Sequence, residues 1–221
     1  MTKLIDLKGL GPATESKLRE SSIETIEDLL RCYPKAYKDQ HIQSIDEVKI
    51  GEKITFKAKI VNKPSVFFFR KNLSKLSVKV TAKNHGFRVD IFNRHFLSNS
   101  LFPNVEVVLT GQFKTSFNVF TASELVLLKN YEEGIIPEYR LHHIKDGRMR
   151  KIIHEALKNQ ELSETIPDYL LKNRGIAGIQ RVLRYIHEPQ NHDQLKKAIY
   201  RLKYEEFIQF ACRIELIKKM Q

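Results

Sequence analysis

From residue 53 the chain alternates apolar and polar positions. "KITFKAKI" puts Ile54, Phe56, Ala58 and Ile60 on one side and Lys53, Thr55, Lys57 and Lys59 on the other, the period of a half-buried strand. The same period recurs in "KLSVKVT", with Leu76, Val78 and Val80 inward, and in "FRVDIF", with Phe87, Val89 and Ile91 inward. "VEVVLTG" repeats it with Val105, Val107 and Leu109 inward, and "NVFTASELVLL" follows after a turn around Ser116 and Asn118. A short helix-like stretch, "RHFLSNSL", separates the third strand from the fourth. Five strands with a helix after the third is the order of an OB-fold barrel. Between the first two strands, "PSVFFFRKNLSK" predicts a long hairpin tipped by Arg70, Lys71 and Asn72; between the last two lies "KTSFN", with Lys114 and Phe117. In OB-folds these two connections and the faces of strands two and three make the oligonucleotide surface, and both connections carry a base and an aromatic.

The flanks change period. In "LKGLGPATESKL", Gly9 and Gly11 permit a tight turn and Pro12 suits the first position of a helix, where its missing N–H costs nothing. Thr25 with Asp28 three residues on is a capping signal for "TIEDLLRCY", whose apolar face is Ile26, Leu29 and Leu30 until Pro34 stops it. The pair resembles a helix-hairpin-helix element, in which the Gly9–Gly11 turn aims N–H groups at a phosphate; a plain interhelical turn is the other reading. After Tyr131 a linker, "EEGIIPEYRLHHIKDG", breaks regular structure. "MRKIIHEAL" then repeats Met149, Ile152, Ile153, Ala156 and Leu157 at helical spacing, and Asn191 with Gln194 caps a last helix whose stripe is Leu195, Ala198, Ile199 and Leu202. The predicted fold class is α+β: a helical segment over 1–46, a five-stranded OB-fold barrel over 47–130, and a linker with helices over 131–221. The final helix has no C-cap, which reads as part of a longer protein.

Charge sharpens the middle segment. The chain's net +12 is spread unevenly: residues 1–45 balance to zero, 46–130 carry +8 and 131–221 carry +4. Between Lys57 and Arg94 there are ten basic residues against one acid, Asp90, a bias that a mixed solvated face does not show. A polyanionic partner follows, nucleic acid ahead of an acidic protein or a membrane surface. Cys32 and Cys212 fit no metal spacing and read as buried, reduced thiols; no apolar run is long enough for a membrane, and a cytoplasmic location follows.

One residue is out of phase. With Phe87, Val89 and Ile91 inward, the outward row of that strand is Arg88, Asp90 and Phe92, and Phe96 lies one helical turn further. A ring pair among cations is what base stacking requires, a flat apolar platform beside charges for the phosphates. Alternatively Phe92 ends the strand and, with Phe96 or Leu97, plugs the mouth of the barrel. Both outcomes are open on these grounds.

Four stretches carry a family resemblance: "GLGPATESKLRESSIETIEDLLRCYPKAYKD", "IFNRHF", "PEYRL" with "MRKIIHEAL", and "IHEP" followed by "RLKYEEF". In this order they resemble the N-terminal, non-motor part of the RecG branched-DNA helicase family, over essentially the whole chain. The resemblance implies a wedge domain that splits the arms of a replication fork or Holliday junction in recombination and repair. It implies that Phe92 and Phe96, as the aromatics of an FN-x-x-aromatic element, stack on bases where the strands part. Arg70, Lys71, Lys75, Arg88, Arg94 and Lys114 are the candidates for phosphate or arm contacts. The sequence departs from the family at Lys83, Asn84, His85 and Gly86, where an acidic, Gly-rich turn is usual, and at Lys35 and Gln40, where arginines are. No G-x-x-x-x-G-K-[ST] phosphate loop occurs, so the chain alone is expected to be inactive in ATP hydrolysis, with no cofactor of its own and with ATP and Mg belonging to a motor outside it. Expected partners are branched and single-stranded DNA and a single-stranded-DNA-binding protein, with the chain a monomer and no membrane involved. The competing readings are a self-sufficient single-stranded nucleic-acid-binding OB protein and a scaffold contacting an acidic protein.

Overall fold

The computed structural model describes residues 4, 7, 10–70 and 72–220. In chain order the elements are α1 (Pro12–Arg19), α2 (Ile26–Arg31), β1 (Ala36–Asp39), β2 (Ile54–Ile60), β3 (Ser65–Arg70), β4 (Leu73–Ala82), β5 (His85–Phe92), β6 (Glu106–Phe113), β7 (Val119–Leu127), β8 (Ile135–Glu138), α3 (Asp146–Asn159), α4 (Asp168–Arg174), α5 (Ile179–His187) and α6 (His192–Met220). They form two compact units, residues 40–133 and residues 1–39 with 134–221. The two helical flanks, separate segments in the sequence reading, fold together into one of these units. No helix among the described residues is long and apolar enough to cross a membrane.

In the unit spanning 40–133, β2, β4, β5, β7 and β6 follow one another around a closed five-stranded barrel, β2 meeting β4 through Lys59–Thr81 and Ile60–Val80. Only β5 and β7 run parallel; the other pairs are antiparallel. This connectivity is that of an OB-fold. The period-two residues do what their phase requires: Ile54, Phe56, Ala58, Ile60, Leu76, Val78, Val80, Phe87, Val89 and Ile91 are all buried in one core. Phe56, Phe87, Phe113 and Phe120 meet edge-on near its centre, with ring centroids 4.9 to 5.9 Å apart in the closest pairs. Burying each such side chain contributes about 1.5–3 kcal/mol. Gly111 admits the close approach of β7: a Cβ there would lie 2.2 Å from the Thr121 carbonyl oxygen. The stretch after β5, expected to be helical, is a 3-10 turn over His95–Ser100. β3 is an addition to the five expected strands, and it pairs with β4 alone.

The other unit is held by pairings that sequence period does not announce. β1 and β8 pair antiparallel from Ala36–Glu138 to Asp39–Ile135, so part of the supposed linker is a strand. Its isolation and its Pro137 hid it: four residues offer no alternation to count. Thr25 and Asp28 cap α2 as predicted, the Asp28 N–H donating to Thr25 Oγ1 at 3.1 Å and the Thr25 N–H to Asp28 Oδ2 at 2.9 Å. The Thr25 hydroxyl bond holds the Asp28 carboxyl below its usual range. Leu29 and Leu30 share a core with Met149, Ile153 and Leu183.

Three expectations, on α6 and on the two thiols, are corrected. Ile199 is exposed, and the buried stripe is Leu195, Ala198, Arg201 and Glu205. Arg201 is fully buried because two carboxylates meet it, Glu164 and Glu205, each at 2.6 Å. Cys32 is half-buried and Cys212 is exposed rather than buried, since no described residue past Glu205 on α6 is buried. Tyr139 and His187 are also buried in this unit. The His187 Nε2–H donates to the Leu30 carbonyl at 2.8 Å, which leaves Nδ1 to accept from the Tyr139 hydroxyl at 2.9 Å. Burial pushes the His187 pKa down to about 4 and the Tyr139 pKa up.

Candidate nucleic-acid interface

The outward face of β3, β4 and β5 is organised in rows set by register. Phe67 lies opposite Lys75, and Lys75 opposite Phe92; Ser65, Ser77 and Asp90 make the next row; Lys79 and Arg88 make a third. Phe92 is 46% exposed and is therefore no core plug. Its phase is decided by Ile91, which is buried one position earlier, so that the ring must leave on the other face.

What ends the strand also aims the rings. Asn93 adopts φ +54°, a left-handed conformation that asparagine tolerates better than most residues. It then grips β4 twice: its N–H donates to the Ser74 carbonyl at 2.8 Å, and its side-chain oxygen accepts from the Ser74 N–H at 3.0 Å. The chain reverses into the 3-10 turn, which leaves Phe96 55% exposed with the Arg94 guanidinium 5.9 Å from its ring centre. Phe96 adjoins His95 at 6.3 Å, and His95 in turn lies 5.4 Å from Phe68. The two predicted rings thus belong to different groups, Phe92 to the Phe67–Lys75 row and Phe96 to the His95–Phe68 side.

The basic candidates do not share one environment. Arg70 and Arg94 are exposed. Asp90, expected on the outward row, is on that face but buried, because its neighbours close over it: Ser77 Oγ donates at 2.7 Å, Arg88 Nε stands at 3.2 Å and Lys75 Nζ at 3.6 Å. Lys75 and Arg88 therefore have part of their charge already answered. Lys79, on the same face, was not singled out in sequence, although its alternation with Leu76, Val78 and Val80 marks it. Lys114 is exposed on the β6–β7 turn, which adjoins Arg88 midway along β5, about 14 Å along the strand from Phe92 at roughly 3.4 Å per residue. It does not join the Phe92 corner. At that same end the β4–β5 turn has its charge balanced, with Lys83 paired to Asp46, whose carboxyl that bond holds below its usual range.

Gly11 is the N-cap of α1 with φ −89°, a conformation open to any residue, and Glu15 occupies the first helical turn. Gly9 and Lys71 lie outside the described residues.

Sequence reasoning placed aromatics in the connection between the first two strands but singled out none of its three rings. Phe67, Phe68 and Phe69 are 52, 68 and 57% exposed, and the Lys75 ammonium stands 5.8 Å from the centre of the first and 5.9 Å from that of the third. The available signal was the run itself: three consecutive phenylalanines cannot all face inward in a strand.

Among known proteins, the ATP-dependent DNA helicase RecG of Bacillus subtilis (strain 168) is 28% identical over 224 residues, a match covering 100% of this chain and 33% of the relative. The RecG helicase of Thermotoga maritima is 30% identical over 223 residues, covering 96% of this chain and 28% of its own. The chain thus spans about a third of the length of the curated relatives it matches. A solved structure of RecG bound to a three-way DNA junction superposes with a TM-score of 0.73 at 29% identity, over 99% of this chain and 31% of that one. Residues 4–160, which run from the first described leucine through the barrel to the end of α3, match the RecG wedge domain, and the chain belongs to that family.

Proposed function

We propose that the chain recognises branched DNA and serves as the strand-separating wedge of a RecG-like helicase in recombination and repair. The observation that carries this reading is Phe92, half exposed on the outward face of β5 with Lys75 opposite it. A nucleobase stacked on that ring would be bound by about 1–3 kcal/mol, while Arg70, Arg94 and Lys79 offer charges for phosphates on either side. Phe96 is the second platform. The similarity to a RecG structure bound to a three-way DNA junction supports the choice of a branch point over a linear strand. ATP hydrolysis with Mg would come from the part of the longer relatives that has no counterpart in these 221 residues, and the sequence contains no phosphate loop for it.

The test is competition among a fork, a four-way junction and a linear single strand of equal length, repeated across salt. The fork and junction are expected to win at every salt concentration, and the slope of log affinity against log salt counts the phosphates neutralised. Equal affinity for the linear strand would replace this reading with a sequence-tolerant single-strand binder.

A further inference from the structure

The barrel closes without β3, yet β3 pairs with β4 over Leu73–Ser77, along the edge that β2 leaves free. Only Val66 of this strand packs on the core. Its three rings remain in water, and apolar area left in solvent in one patch marks a contact surface.

The rings do not share a side. Phe67 lies opposite Lys75 on the outward face, whereas Phe68 lies opposite Ser74 and turns its ring to His95. Phe69, two residues on from Phe67, takes the same side by ordinary alternation and also reaches Lys75, so that one ammonium has two rings about 6 Å away. One face of the hairpin therefore continues the row of Phe92, and the other continues the group of Phe96. A ligand for these faces must offer flat apolar surface close to negative charge, which describes a nucleobase on its phosphate backbone. A lipid bilayer fits less well, because rings buried in hydrocarbon would take the Lys75 ammonium and Arg70 with them.

We infer that the β3–β4 hairpin is a second nucleobase-binding element, a two-faced blade on which Phe67 and Phe69 hold one unpaired strand and Phe68 holds the other. This rests on the proposed function, since it needs two strands parting at the Phe92 corner.

The experiment uses the 221-residue chain and a fork carrying a fluorescent purine analogue as the first unpaired base of one arm or the other. The paired variant Phe67→Ala with Phe69→Ala is expected to remove the fluorescence change on one arm only, and Phe68→Ala on the other arm only. Each is expected to weaken fork binding roughly 5-fold or more, with thermal melting unchanged because the rings are exposed. Leucine in place of each ring keeps the apolar bulk and removes the stacking face, so it should bind as weakly as alanine. If all hairpin variants bind like the parent while Phe92→Ala is weakened, the blade is overturned and the wedge stands. If Phe92→Ala also binds like the parent, both fall. Capture of the chain by anionic vesicles that Phe68→Ala abolishes, with fork binding intact, would make the hairpin a lipid element and overturn the inference.

Discussion

At one corner of the barrel unit the rings of Phe67, Phe68, Phe69, Phe92 and Phe96 stand in solvent, while in the helical unit Arg201 has no exposed surface. Each departs from the ordinary partition of apolar inside and charged outside, and the reasons differ. An exposed ring needs no compensation within the fold, so its return must come from a ligand. A buried guanidinium needs its charge compensated within the fold, and two carboxylates do so: Glu164 and Glu205 meet Arg201, Thr165 donates to Glu205 at 2.7 Å, and Glu164 accepts the Ile166 and Ile179 N–H groups at 3.0 and 2.7 Å. Those backbone bonds and the Arg201 charge hold the Glu164 carboxyl below its usual range against the burial that would raise it. Arg201 Nε is the one buried side-chain polar atom among the described residues with no partner. The lesson is one of location: function is to be sought where the barrel breaks the rule, and cohesion of distant segments where the helical unit does.

The comparison predicts effects of different kinds and sizes. Arg201→Ala should be the most damaging, losing about 3–5 kcal/mol of stability because Glu205 is left buried and Glu164 half-buried without their shared cation; urea unfolding measures it, and a loss below about 1 kcal/mol would show the network to be dispensable. Acid should act next, through His187. Its folded pKa lies near 4, below the ordinary 6.5, so the unfolded chain takes up the proton first. Stability from this group is whole above pH 6.5 and falls by about 3 kcal/mol as the pH drops toward 4. Unfolding followed at neutral pH and near pH 4.5 should show that loss, and His187→Gln should flatten it. Phe92→Ala should reverse the pattern, costing about 1–3 kcal/mol of fork affinity and no more than about 0.5 kcal/mol of stability, read by titration and melting together. A stability loss near the 3–5 kcal/mol of a deleted core aromatic would return Phe92 to the barrel plug. The smallest effect should come from Asp90→Asn. Freeing Lys75 and Arg88 should steepen the salt dependence of fork binding by about one phosphate, and an unchanged slope would remove both residues from the interface.

The five barrel strands were legible because each runs seven or more residues, long enough for period two to declare itself. The same alternation placed Phe92 outside the core. The rest depended on partners remote in sequence. β1 and β8 are four residues each and have meaning only as a pair. α4 and α5, seven and nine residues long, carry no side-chain cap at the N-terminus, and their stretch passed unassigned. Arg201 sits at a position a helical wheel assigns to the apolar stripe, and only the arrival of Glu164 makes an arginine tolerable there.

What the sequence alone determines about this protein is therefore local: which side of each strand a residue takes, where α2 and α6 begin, and that cations and rings concentrate between residues 57 and 94. Tertiary structure decided which of those groups meet. Register set Lys75 between Phe67 and Phe92, the pairing of β3 with β4 brought Phe69 to the same ammonium, and Asp90 drew off part of two of the expected phosphate-binding charges. The physical reason is that alternation follows from the geometry of a single strand, whereas register and charge pairing are settled by the free energy of contacts between strands that the chain brings together only on folding.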